Sequence, residues 1–211
     1  MERIKTVIFD LGGVIITLDQ SQAVRRFEQL GVKDAAKQLD PYVQRGIFGD
    51  VEHGLITAEE FRRELSAMIG REVTMAECEY AWQGYATDVP KRNLQALLRL
   101  RQLGYRVLLL SNTNPFMMAW VESDRFTGGH PVSYYFDHCY LSYQMKLMKP
   151  SADIFRAVLR NEKTFASEVL FVDDGPRNVA VASQMGMMTL CPKNGEDWTD
   201  HLFTMLNEKL R

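Results

Sequence analysis

Four short apolar runs, each ending in a polar cluster, constrain this chain more than any other feature. They are Val7–Phe9, Val107–Leu110, Cys139–Leu141 and Val169–Val172. Their lengths and side chains suit buried parallel strands. Helical patterns lie between them. Leu94, Leu97, Leu98 and Arg101 follow a start at Pro90, and Gly104 supplies a stop. Ile154, Phe155, Val158 and Leu159 form a second stripe behind Ser151, a candidate N-cap. Val179, Ala182 and Met185 form a third, ended by Gly186. Strand and helix alternate from residue 90 onward. That order predicts an α/β fold built on a doubly wound, Rossmann-like parallel sheet.

Residues 18–88 break the rhythm, and no strand-like run occurs there. Phe61, Leu65, Met68 and Ile69 share one helix face, and Thr57 with Glu60 makes a capping-box start. Helical patterns also fit Ser21–Leu30 and Met75–Tyr85. The expected division is a sheet domain of residues 1–17 and 89–211 carrying a helical insert of residues 18–88.

Composition narrows the function classes. The net charge is −2, from 25 basic and 27 acidic residues with no long run of one sign. Neither nucleic acid nor a membrane surface has an electrostatic footprint here. Cys78, Cys139 and Cys191 are widely spaced, so no zinc site or disulfide framework is suggested. His53, His130, His138 and His201 are scattered, and His53 falls in a loop-like stretch. The apolar stretch Thr6 to Leu18 follows basic residues but is interrupted by Asp10 and lacks a cleavage site. A cytoplasmic protein is expected.

In an open parallel sheet, ligands bind beyond the carboxyl ends of the strands. The residues there are Asp10-Leu11-Gly12-Gly13, Ser111-Asn112-Thr113-Asn114, Lys149-Pro150 and Asp173-Asp174-Gly175-Pro176. Each has a plain alternative as a turn, a helix cap or a solvated lysine. Gathered in one crevice, carboxylates, a hydroxyl and an ammonium suit a divalent cation and a phosphoryl group.

Val7–Val14, Leu110–Asn112, Lys149-Pro150 and Phe171–Asp174 resemble, in order, the four motifs of the haloacid dehalogenase-like hydrolases. The resemblance spans nearly the whole chain, including a helical cap after the first motif. Within that family, Ser111–Asn114 and the stretch from Tyr140 to Pro150 look most like phosphatases acting on α-glucose 1-phosphate. The resemblance implies a Mg²⁺-dependent phosphomonoesterase acting on a small phosphorylated metabolite. It makes Asp10 the covalent nucleophile. Mg²⁺ would be held by the Asp10 carboxylate, the Gly12 carbonyl and Asp174, with Asp173 orienting the site. Ser111 and Asn112 would hydrogen-bond phosphoryl oxygens, and Lys149 would offset charge.

One departure matters. Many phosphatases of this family carry a second Asp two residues after the nucleophile, as general acid and base. That position here is Gly12. An activated leaving group would dispense with the acid. Asp19 is a substitute candidate, although capping the helix near Ser21 is its plainer role. A metal-independent 2-haloacid dehalogenase and a catalytically weak binding protein are the competing readings. Trp82, Gln83 and Tyr85 are candidates to line the pocket, with core packing as their alternative.

Overall fold

The computed structural model describes residues 3–39, 46–126 and 129–208. In chain order its elements begin with β1 (Thr6–Phe9), β2 (Thr17–Leu18), α1 (Gln20–Leu30) and α2 (Ala35–Gln38). Then come α3 (Gly46–His53), α4 (Ala58–Ile69), α5 (Met75–Trp82) and β3 (Ala86–Asp88). The rest are α6 (Lys91–Gln102), β4 (Arg106–Ser111), α7 (Pro115–Val121), β5 (His138–Leu141), α8 (Ser142–Met145), α9 (Ala152–Glu162), β6 (Val169–Val172), α10 (Pro176–Gln184), β7 (Met188–Leu190) and α11 (Thr199–Glu208).

The four apolar runs are β1, β4, β5 and β6, and they pair in parallel with β7 in the order β5-β4-β1-β6-β7. Alternate side chains serve opposite faces. Val7, Phe9, Val107, Leu109, Leu170 and Val172 join the core shared with α6 and α11. Ile8, Leu108, Leu110, Val169 and Phe171 pack against Ile154, Phe155 and Val158 of α9. Both faces are covered, which explains why the runs show no polar alternation. The doubly wound α/β architecture is therefore as expected.

Register sets the site. Phe9 aligns with Leu109 on one side and Val172 on the other. The Asp10 amide continues the ladder by donating to the Val172 carbonyl at 2.9 Å. One step past the last pair, Asp10 and Asp173 emerge side by side. The chain runs from β1 toward β4 and β5 on one side, then returns to β6 and β7 on the other. The carboxyl end of β1 is thus the topological switch point.

Helices α1 to α5 enclose their own aromatic core. Phe27, Phe48, Phe61 and Trp82 meet at centroid distances of 5.1–5.9 Å. Phe116 of α7 completes the cluster, stacked on Trp82 at 6.5 Å. The capping box of Thr57 and Glu60 opens α4 as expected.

Two expectations need correction. Residues 18–88 do contain strand: β2 pairs antiparallel with β3 where the chain enters and leaves the helical segment. Strands of two and three residues are too short for periodicity to show. His53 is not in a loop but is the last residue of α3. Gly46 and Gly49 mask that helix in sequence; burial of Ile47, Phe48 and Val51 supports it instead.

The α3 end is fitted tightly to α8. Gly54 has φ +71°, and a Cβ there would lie 2.0 Å from the Tyr143 carbonyl oxygen. Gly54→Ala should lower Tm by about 5–10 °C in a thermal melt, from left-handed backbone strain plus a backbone clash. An unchanged Tm would contradict this packing.

Candidate active site

Lys149 organises the floor of the site. Its ammonium is buried and lies 3.0 Å from Asp10 Oδ1 and 2.6 Å from Asp173 Oδ2. Burial alone would push its pKa down, but the two carboxylates outweigh this and the net shift is upward. Asn112 holds the lysine's backbone at both ends. Its Nδ2 donates to the Lys149 carbonyl at 2.8 Å, and its Oδ1 accepts from the Lys149 amide at 2.9 Å. The asparagine amide therefore braces Lys149, a positioning contact that the motif did not suggest.

Asp173 is fully buried and saturated. Besides Lys149, it accepts from the Gly175 amide at 2.7 Å and from Asn178 Nδ2 at 2.9 and 3.1 Å. Asn178 was not picked out from sequence; its one signal was a polar residue in the first turn of α10. Neither aspartate caps that helix by side chain, because Gly175 occupies the N-cap.

Asp174 differs from its neighbour. Burial, then repulsion from Asp173, lifts its pKa to about 6. Burial lifts Asp10 to about 8, the pull of Lys149 opposes this, and repulsion from Asp173 and Asp174 adds to it. Carboxylate oxygens of Asp10, Asp173 and Asp174 all lie within 4.8 Å of one another. Fully ionised, three carboxylates against one ammonium would leave two negative charges unbalanced. This donor set fits a divalent cation, which would supply the missing charge and favour the ionised forms. Gly13 makes room for the Asp174 carboxylate: with φ +75°, a Cβ there would fall 2.0 Å from Asp174 Oδ2.

Above this floor lies a crevice of about 470 Å³. Asp10, Gly12, Ser111, Asn112, Lys149 and Asp174 all line it. The Ser111 hydroxyl has only a long bond, 3.4 Å, to the Asn112 carbonyl. Trp82 and Tyr85 wall the crevice while also belonging to the aromatic core, whereas Gln83 is not among the lining residues. Asp19 takes its plainer role. Its Oδ1 accepts from the Ser21 amide at 2.9 Å as the N-cap of α1, and it does not line the crevice. At Gly12, a Cβ would meet Leu18 Cδ1 at 2.8 Å, so an apolar side chain fills the space beside that position.

The roof is α3, which sequence reasoning missed. Glu52 is buried; it accepts from Asn114 Nδ2 at 3.3 Å, and its carbonyl accepts from the Ser142 hydroxyl at 2.6 Å. Ser142 also accepts from the Thr113 amide at 3.0 Å. The loops after β4 and β5 thereby hold α3 over the floor.

Comparison with known proteins agrees with this geometry. A family model described as haloacid dehalogenase-like hydrolase matches residues 4–186. D-ribitol-5-phosphate phosphatase of Bacteroides thetaiotaomicron is 44% identical over 205 residues, covering 97% of this chain and 99% of that protein. A structure of a predicted hydrolase of the same family from Porphyromonas gingivalis is 39% identical, with TM-score 0.92, and covers 97% of this chain and 98% of that one. A family enzyme from Bacteroides thetaiotaomicron, crystallised with magnesium and inorganic phosphate, is 38% identical, with TM-score 0.84, and covers 95% and 99%. Motif order, sheet topology and the family match agree: this chain belongs to the haloacid dehalogenase-like hydrolases.

Proposed function

We propose that the chain is a Mg²⁺-dependent phosphomonoesterase that forms an aspartyl-phosphate on Asp10, with residues 18–88 as the cap that receives the substrate. The observation that carries this reading is the convergence of Asp10, Asp173, Asp174 and Lys149 at the floor of one crevice. The Asp10 carboxylate, the Gly12 carbonyl and Asp174 would hold Mg²⁺, which supplies positive charge where two anions must approach. Asp10 attacks phosphorus in line, and water then hydrolyses the acyl-phosphate. Ser111 donates its weakly engaged hydroxyl to a phosphoryl oxygen. Lys149 offsets charge on Asp10 and on the transferring group, and Asn112 keeps it in place. Asp173 fixes Lys149 and the turn before α10. The two unbalanced charges favour this reading over a metal-free dehalogenase.

The substrate class follows from the relative acting on D-ribitol 5-phosphate. It supports a small phosphorylated polyol or sugar, and an open-chain ester ahead of glucose 1-phosphate. A primary alkoxide is a stronger base than an anomeric one. The glycine at position 12 therefore leaves protonation of the leaving oxygen to water.

Four outcomes are expected. Phosphate release from sugar and polyol phosphates should stop on chelation and return with Mg²⁺. Asp10→Asn should lower kcat/KM by about 10⁴-fold or more; turnover near wild type would remove the covalent mechanism. Gly13→Ala should displace Asp174 and lower kcat/KM by about 100-fold or more while raising the Mg²⁺ concentration needed, with circular dichroism unchanged. Finally, Asp174 sits near 6 and Asp10 near 8, both above the ordinary aspartate value. Their ionisation is unfavourable in the metal-free fold, and protons compete with the cation below those values. Mg²⁺ should therefore raise Tm strongly at pH 8 and little at pH 5. An equal rise at both would contradict the shared site.

A further inference from the structure

Resting on the phosphatase reading, we propose that Asp50 and His53 of α3 recognise the hydroxyl groups of the leaving alcohol and select polyol phosphates. Gly46, Gly49, Asp50 and His53 stand at i, i+3, i+4 and i+7, which is one helix face. All four line the crevice that holds Asp10, Ser111 and Lys149. The opposite face, with Ile47, Phe48 and Val51, is buried in the cap core. Two of the four crevice-facing positions carry no side chain, so that face offers space plus one carboxylate and one imidazole.

Among the described residues, those two groups are uncommitted. The other titratable groups lining the crevice already have work. Asp10, Lys149 and Asp174 form the charged floor, Glu52 accepts from Asn114, and the Tyr85 hydroxyl donates to the Leu39 carbonyl at 2.9 Å. Among the described residues, the Asp50 and His53 side chains make no hydrogen bond, ion pair or ring contact. Both are partly buried, and α3 is held in place through Glu52, Asn114 and Ser142. A carboxylate accepts hydrogen bonds from hydroxyls, and an imidazole can do either.

The remaining walls include Ile16, Leu18, Trp82 and Met117, which suit carbon–hydrogen faces. A wholly hydrocarbon alcohol would press against Asp50 and leave it desolvated without a partner. A polyhydroxylated alcohol satisfies both parts of the lining. The phosphoryl group lies on the floor, and the hydroxyls point to the roof.

The test compares wild type, Asp50→Ala and His53→Ala, with Mg²⁺, on D-ribitol 5-phosphate and on p-nitrophenyl phosphate, which has no hydroxyls. Each variant should raise KM for the polyol ester about tenfold, with kcat within a few-fold. On p-nitrophenyl phosphate each should stay within about twofold of wild type. Asp50→Asn and His53→Gln, checked by thermal melt, separate lost recognition from lost folding. Equal losses on both esters, no loss on the polyol ester, or wild-type preference for geranyl phosphate would overturn the assignment. So would wild-type turnover of p-nitrophenyl phosphate but of no polyol phosphate. A wild type inactive on every ester would instead remove the phosphatase reading, and this assignment with it.

Discussion

The Lys149 ammonium, buried between Asp10 and Asp173, is the contact on which the site depends. An unpaired ammonium at that depth would be strongly disfavoured, and so would the carboxylates without it. The lysine keeps its charge because two carboxyl groups face it, and one of them belongs to the proposed nucleophile. Its backbone is clamped by Asn112 and its tip by Asp173, which is itself held by Gly175 and Asn178. Four segments distant in sequence are thus joined through one residue. The carboxylates of Asp10 and Asp174, beyond what one ammonium balances, are what suit the floor to a cation.

The scaffold contributes geometry that charge alone does not supply. Parallel pairing of β1 with β6 brings Asp10 and Asp173 out side by side. Gly13 lets the Asp174 carboxylate lie against the backbone. The aromatic cluster of the helical segment extends onto Phe116 of α7, so roof and floor share packed contacts as well as hydrogen bonds. An α3 held at both its core face and its Glu52 end presents its polar face in a fixed direction. Under the proposed reading, selection of the alcohol and chemistry at phosphorus fall to different elements of one crevice.

Much of this was legible from residue order. The apolar runs marked four of the five sheet strands, since strands buried on both faces have no polar alternation to confuse them. The capping box at Thr57 and the N-cap at Ser151 marked helix starts by local chemistry. The strand β7, at Met188–Leu190, escaped because Thr189 interrupts its apolar run. Helix α3 escaped for a different reason. Its glycines lower local helix propensity, and its stability comes from burying Ile47, Phe48 and Val51 against distant aromatics. Asp19 caps α1, the plainer of its two readings from sequence.

The sequence by itself determined the sheet class, the order of the polar clusters and the absence of an acid at position 12, because each is carried by local pattern or residue identity. Tertiary structure alone decided which of those polar groups share charge, that Asn112 braces Lys149, and that Asp50 and His53 face the crevice. Those facts depend on register between strands and on long-range packing of α3, and neither leaves a periodic trace along the chain.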